Sequence, residues 1–202
     1  MKTRLACSIA ILAWFAVIMQ FVLMLMNKTM SSAETIVRFF SYFTILTNTM
    51  VALFFTAKTL KVEKVDYHTW LTPIAVYITV VCVVYQVLLR PVWSPEGFQI
   101  VIDELLHSII PVLTVLYWLL YDGAKHVMWL LIPKWLIYPL VYLVYILIRG
   151  TFSGFYPYPF INVLEIGWQQ TLINSFLMCL LFLMLFSMFI GLGQRLKLGH
   201  YS

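Results

Sequence analysis

The stretch Leu5-Ala-Cys-Ser-Ile-Ala-Ile-Leu-Ala-Trp-Phe-Ala-Val-Ile-Met-Gln-Phe-Val-Leu-Met-Leu-Met26 carries no charged residue. A helix crosses the hydrocarbon core of a bilayer with roughly 20 residues, so this block is long enough to span. A secretory leader has an apolar run of only about 7–15 residues. The block therefore reads as a retained membrane helix, although Lys2 and Arg4 precede it. Further long apolar blocks, some holding isolated charges, follow at Ile36–Ala57, Trp70–Leu89, Ile100–Tyr121, Met128–Ile148 and Thr171–Gly193. Polar residues and turn formers separate them. The expected architecture is an all-α integral membrane protein, a six-helix bundle forming one domain over residues 1–202.

The whole composition agrees with that reading. Of the 202 residues, 63% are hydrophobic and 10% charged, and the mean hydropathy is +0.94. A soluble domain carries about 25% charged residues. The net charge of +5 is spread singly between apolar blocks, the pattern of juxtamembrane loops and not of a nucleic-acid surface. Cys7, Cys82 and Cys179 lie far apart inside apolar blocks and give neither a disulfide nor a metal-binding spacing. No cofactor is expected.

Basic residues set the expected orientation. Lys2, Arg4, Lys58, Lys61, Lys64, Lys125, Arg195 and Lys197 fall on the N-terminal side, and Lys28, Arg38, Arg90 and Arg149 on the other. Both termini are expected in the cytoplasm, and a bacterial inner membrane is the simplest location.

Polar groups inside a span are costly and mark the place to look for function. In the second block Ser41, Thr44 and Asn48 lie near one line along the helix, with Arg38 and Thr47 beside it. In the fourth, Asp103 and His107 are four apart and share a face, next to Glu104. Pro111 lacks the N–H that would bond the His107 carbonyl, so the helix is expected to open there. Counted from the starts of their blocks, Thr44 and His107 lie at one depth, about 10–12 Å below the outer surface. A hydroxyl and an imidazole at one level are the parts of an activated nucleophile and its base. Asp103 can orient the imidazole, as the third member of a triad does. Thr47, Asn48 or a tyrosine hydroxyl can donate to the oxyanion.

The fifth block adds Tyr138, Tyr142 and Tyr145 on one face climbing to Arg149. Phenols this deep need partners, so the face looks into the bundle. Arg149 can pair with Asp103 or Glu104, or receive a substrate carboxylate. The aromatic loop from Arg149 to Phe160 either caps a cavity or anchors the chain at the interface. Tyr142, Tyr145, Tyr156 and Arg149 are the candidates for contact with substrate.

Two segments resemble a known family. Tyr42-Phe-Thr44-Ile-Leu-Thr47-Asn48 is similar to the segment around the nucleophilic threonine of the androgen-induced and androgen-dependent TFPI-regulating protein family. Leu106-His107-Ser-Ile-Ile-Pro111 is similar to the segment around its histidine. Asp103-Glu-Leu-Leu-His107 and Gly154-Phe-Tyr-Pro-Tyr-Pro-Phe160 resemble a bacterial six-span branch more closely still. The resemblance implies a multi-span hydrolase of fatty acid esters of hydroxy fatty acids, with Thr44 as nucleophile and His107 as base. The expectation is an intramembrane threonine hydrolase acting on a lipid or fatty-acyl ester among membrane lipids. The alternatives are a proton-coupled carrier using Asp103, Glu104 and His107, and a non-catalytic lipid-binding protein.

Overall fold

A computed structural model describes residues 1–63, 66–122 and 128–198, all of the regular structure being helical. Lys64, Lys125, His126 and His200 lie outside the described residues. The chain runs through α1 (Lys2–Met26), α2 (Ser32–Phe39), α3 (Phe43–Thr59), α4 (Tyr67–Val84), α5 (Phe98–Glu104), α6 (Ile110–Tyr117), α7 (Ile132–Ser153) and α8 (Val163–Leu198). A π-helical turn, Tyr85–Leu89, extends α4, and another, Leu105–Ile109, joins α5 to α6. Among the described residues five helical stretches are long and apolar enough to cross a membrane, and six if α2 and α3 count as one bent span. Their outward faces stay apolar: Ile137, Val141, Val144 and Ile148 on α7 are all more than half exposed. Such a surface suits lipid rather than water.

Small residues bring α1 against α3. Ala6, Ala10, Ala13 and Ala16 recur at three- and four-residue spacing and are all buried, which lets the two backbones approach closely. Trp14 Nε1 donates across this seam to Thr56 Oγ1 at 3.0 Å. Aromatic rings fill the opposite side of the core, with Tyr77 and Phe186 at 5.9 Å and Trp118 and Phe189 at 4.7 Å.

The second apolar block is not one straight helix. Residues 40–42 break it, and α2 turns 70° from α3. The Ser31 hydroxyl caps the start of α2 by accepting from the Glu34 N–H at 3.2 Å. Glu34 then holds Arg38 at 2.7 Å and Arg149, on α7, at 3.1 Å. The pair with Arg149 ties α2 to α7. Tyr42 adopts extended backbone (φ −82°, ψ 124°), and a fresh helix begins at Phe43. The Ser41 carbonyl, stranded by the break, accepts from the Tyr142 hydroxyl at 2.8 Å. A buried carbonyl needs such a partner wherever a helix is interrupted.

Proline causes a second irregularity where the sequence placed it. With no N–H at Pro111, the ladder slips by one residue and the Ile110 N–H bonds the Leu105 carbonyl. The expected opening beside His107 takes the form of a π-helical turn. Such turns often sit at functional sites.

The fifth helix ends later than its sequence block. Gly150 continues α7, and Gly154 terminates it in the left-handed conformation (φ 65°). Gly150 is required by contact: a Cβ there would lie 2.1 Å from Cε1 of the Tyr156 ring. The last helix begins earlier, at Val163, and bends at Gly167 (φ 72°) before its long apolar run.

Candidate functional site

The break between α2 and α3 places Thr44 in the first turn of α3, not two turns down a continuous span. Its N–H, which no helical carbonyl can reach, donates to the Tyr158 hydroxyl at 3.2 Å. Thr44 Oγ1 lies 3.4 Å from the same phenol oxygen. The threonine therefore sits at the positive end of a 17-residue helix dipole, where negative charge on a nearby oxygen is favoured.

His107 occupies the middle of the π turn Leu105–Ile109. Its ring stacks on Tyr85, with centroids 4.0 Å apart and planes 13° from parallel. Nδ1 lies 2.9 Å from the Asp103 carbonyl oxygen and 3.4 Å from Asp103 Oδ1. A carbonyl can only accept, so in the neutral ring the proton belongs on Nδ1 and the lone pair on Nε2. Among the described residues no protein group bonds Nε2. The Tyr85 hydroxyl donates to Asp103 Oδ2, so both carboxylate oxygens are positioned.

Thr44 and His107 line one cavity of about 500 Å³ together with Tyr85, Asp103 and Tyr158. A second, narrower cavity of about 80 Å³ is almost wholly apolar, walled by residues such as Val80, Leu140, Met178 and Phe182. Thr44, Leu89 and Tyr158 line both, which puts Thr44 at the junction. Asn48 ties the two halves of the site together. Its Nδ2 donates to the Thr44 carbonyl at 2.9 Å and to the Leu106 carbonyl at 3.2 Å.

Other expected site residues are placed elsewhere. Both amide hydrogens of Asn48 are spent on carbonyls, so it holds the site together and has none left for an oxyanion. Thr47 Oγ1 meets the Tyr138 hydroxyl at 3.1 Å and lines neither cavity. Tyr142 contributes its ring to the narrow cavity, but its hydroxyl is committed to the α2–α3 break. The Tyr145 hydroxyl stands 3.5 Å from Ser41 Oγ at the same break. Tyr156 is buried over Gly150. Arg149 pairs with Glu34, not with Asp103 or Glu104, and does not line either cavity; its Nη1 is buried without a partner. Glu104 turns away from His107, bonded to Arg90 and to the Ser108 hydroxyl, each at 2.6 Å.

The aromatic loop lies against the bundle. Phe155 sits under both guanidiniums, 4.2 Å from Arg38 and 5.1 Å from Arg149. Tyr156 and Tyr158 are each 8% exposed, and Tyr158 stacks on Phe160 at 5.3 Å. Asn174 Nδ2 secures the turn by donating to the Phe160 carbonyl at 2.8 Å. Of the two readings of this loop, the cap is the one its packing fits. Burial pushes the Tyr158 phenol up to about 12, its bonds to Thr44 notwithstanding, so it keeps its proton and can donate.

Tyr158, Tyr85 and Glu34 were not singled out from the sequence. Tyr85 could have been found by the rule that drew attention to Tyr138: a phenol deep in an apolar run needs a partner. Tyr158 lies between two prolines in a loop, and only its contact with Thr44 sets it apart. Among the described residues no three His, Cys, Asp or Glu side chains gather as a metal-binding group. Compared with protein-family models, curated proteins and solved structures, the chain matches none.

Proposed function

We propose that this chain is an intramembrane hydrolase of lipid esters, with Thr44 as nucleophile and His107 as general base. The observation that carries the reading is the shared cavity: a hydroxyl at a helix start and an imidazole with a free Nε2 face it from separate helices. The resemblance of the Thr44 and His107 segments to a hydrolase family supports the same pair.

In this reading an acyl ester enters from the outer leaflet and lies with its carbonyl at the junction of the two cavities. Thr44 Oγ1 attacks the carbonyl carbon as His107 Nε2 takes the hydroxyl proton. The Asp103 carbonyl and carboxylate at Nδ1 fix the tautomer and stabilise the imidazolium. The Tyr158 O–H donates to the oxyanion, and the α3 dipole favours the same charge. Collapse breaks the bond to the alcohol, which leaves with the proton from Nε2. Water then attacks the acyl-threonine, giving its proton to His107, and Thr44 regains a proton as the fatty acid departs. Thr44 and His107 are not hydrogen-bonded to each other in the resting structure, and catalytic hydrogen bonds commonly tighten only when substrate binds.

The test is covalent labelling of the purified protein with a fluorophosphonate probe. Wild type is expected to label, while Thr44→Ala and His107→Ala lose labelling and turnover yet keep their thermal unfolding transitions. A folded wild-type protein that does not label, or a Thr44→Ala variant that still does, removes Thr44 from the chemistry.

A further inference from the structure

The larger cavity selects the charge of its ligand. Its wall carries the side-chain amides of Gln20, Asn27 and Gln99, and Asp103 beside His107, but among the described residues no lysine or arginine. Gln99 Nε2 donates to Gln20 Oε1 at 2.7 Å, which leaves the Gln99 oxygen as an acceptor and the Gln20 NH₂ as a donor. Such a pair suits a hydroxyl, which does both, and ill suits a carboxylate or phosphate, which can only accept. The arginines at this end of the bundle are held elsewhere. Arg38 and Arg149 share Glu34, Arg90 pairs with Glu104, and none of the three lines the cavity. A carboxylate brought into this cavity would meet the Asp103 carboxylate with no lysine or arginine among the described lining residues to pair with it, and an unpaired charge away from water is heavily penalised.

We propose, resting on the ester-hydrolase reading, that the alcohol portion of the substrate is uncharged and hydroxyl-bearing. The substrate class is an acyl ester of a small neutral polyol, not an ester whose alcohol portion ends in a free carboxylate. The amides receive the polyol hydroxyls, and the narrow apolar cavity receives the first part of the acyl chain. Thr44 stands between them at the ester bond.

Two ligands that cannot be hydrolysed test this: an alkyl ether of a hydroxy fatty acid, and the same ether with its carboxylate converted to a primary carboxamide. Equilibrium binding to the wild-type protein in nanodiscs is measured at alkaline pH, where the acid is ionised. The carboxamide is expected to bind at least about tenfold more tightly. Gln99→Lys, which adds a cation to the wall, should shrink that ratio several-fold. Equal binding of the two ligands, tighter binding of the carboxylate, or a ratio untouched by Gln99→Lys overturns the proposal. The corresponding esters are assayed for acyl release in parallel. Selective binding of the carboxamide without release from its ester sinks the hydrolase reading and leaves the charge selection standing.

Discussion

At Thr44 the chain combines three local facts: the first turn of a helix, a phenol within reach of both its N–H and its hydroxyl, and a place where two cavities meet. The phenol is the part most open to test. Tyr158→Phe keeps the ring stacked on Phe160 but removes the O–H. If it serves the oxyanion, kcat should fall by about 10²–10³, with KM little changed. The unfolding transition should move by the cost of leaving the buried Thr44 N–H and hydroxyl without the phenol, about 1–3 kcal/mol. A kcat within a factor of two of wild type would show that the oxyanion is served by something else. That Thr44 and His107 are worth placing together could be read from the sequence because ionisable and hydroxyl groups are rare inside apolar blocks, and both line one cavity. Tyr158 was not, because tyrosine at an interface needs no explanation until its partner is known. Arg149 was misread for a related reason: its counter-ion, Glu34, is remote in sequence and lies before the second apolar block, where no span pattern draws attention to it.

At the scale of elements, the six apolar blocks were legible from hydropathy alone, but the 70° turn between α2 and α3 was not. Apolar content reports that a segment avoids water, not that it is straight. Beside the bend Glu34 pairs with Arg149, from a helix more than a hundred residues later. Pro111 could be interpreted in advance because its missing N–H acts within its own helix. The contact between α7 and the aromatic loop offers a second test. In Gly150→Ala the new methyl would overlap the Tyr156 ring, and overpacking of this kind costs about 1–3 kcal/mol. Thermal unfolding in detergent should register that loss, and adding Tyr156→Ala should remove the coupling between the two positions. A Gly150→Ala variant as stable as wild type would mean that the ring is not seated over the glycine.

For the whole molecule, the count of crossings decides which way the ends face. If α2 and α3 together make one crossing, the chain crosses six times and both termini share a side. If α3 does not cross, the count is five and the termini face opposite sides. Tags at the two ends, probed with a membrane-impermeant reagent on sealed vesicles, should be protected or labelled together, and opposite behaviour would exclude the six-span topology. The broken second span has one more consequence. α3 has 17 residues, about 25 Å of helix, against a hydrocarbon core about 30 Å thick. A bilayer meets such a shortfall by thinning locally or by tilting the helix. If the shortfall falls at the α2 end, where Thr44 lies in the first turn of the helix, mismatch would draw headgroups toward Thr44. The deformation itself would then bring the ester bond of a lipid toward the hydroxyl proposed as nucleophile, without the lipid leaving its leaflet.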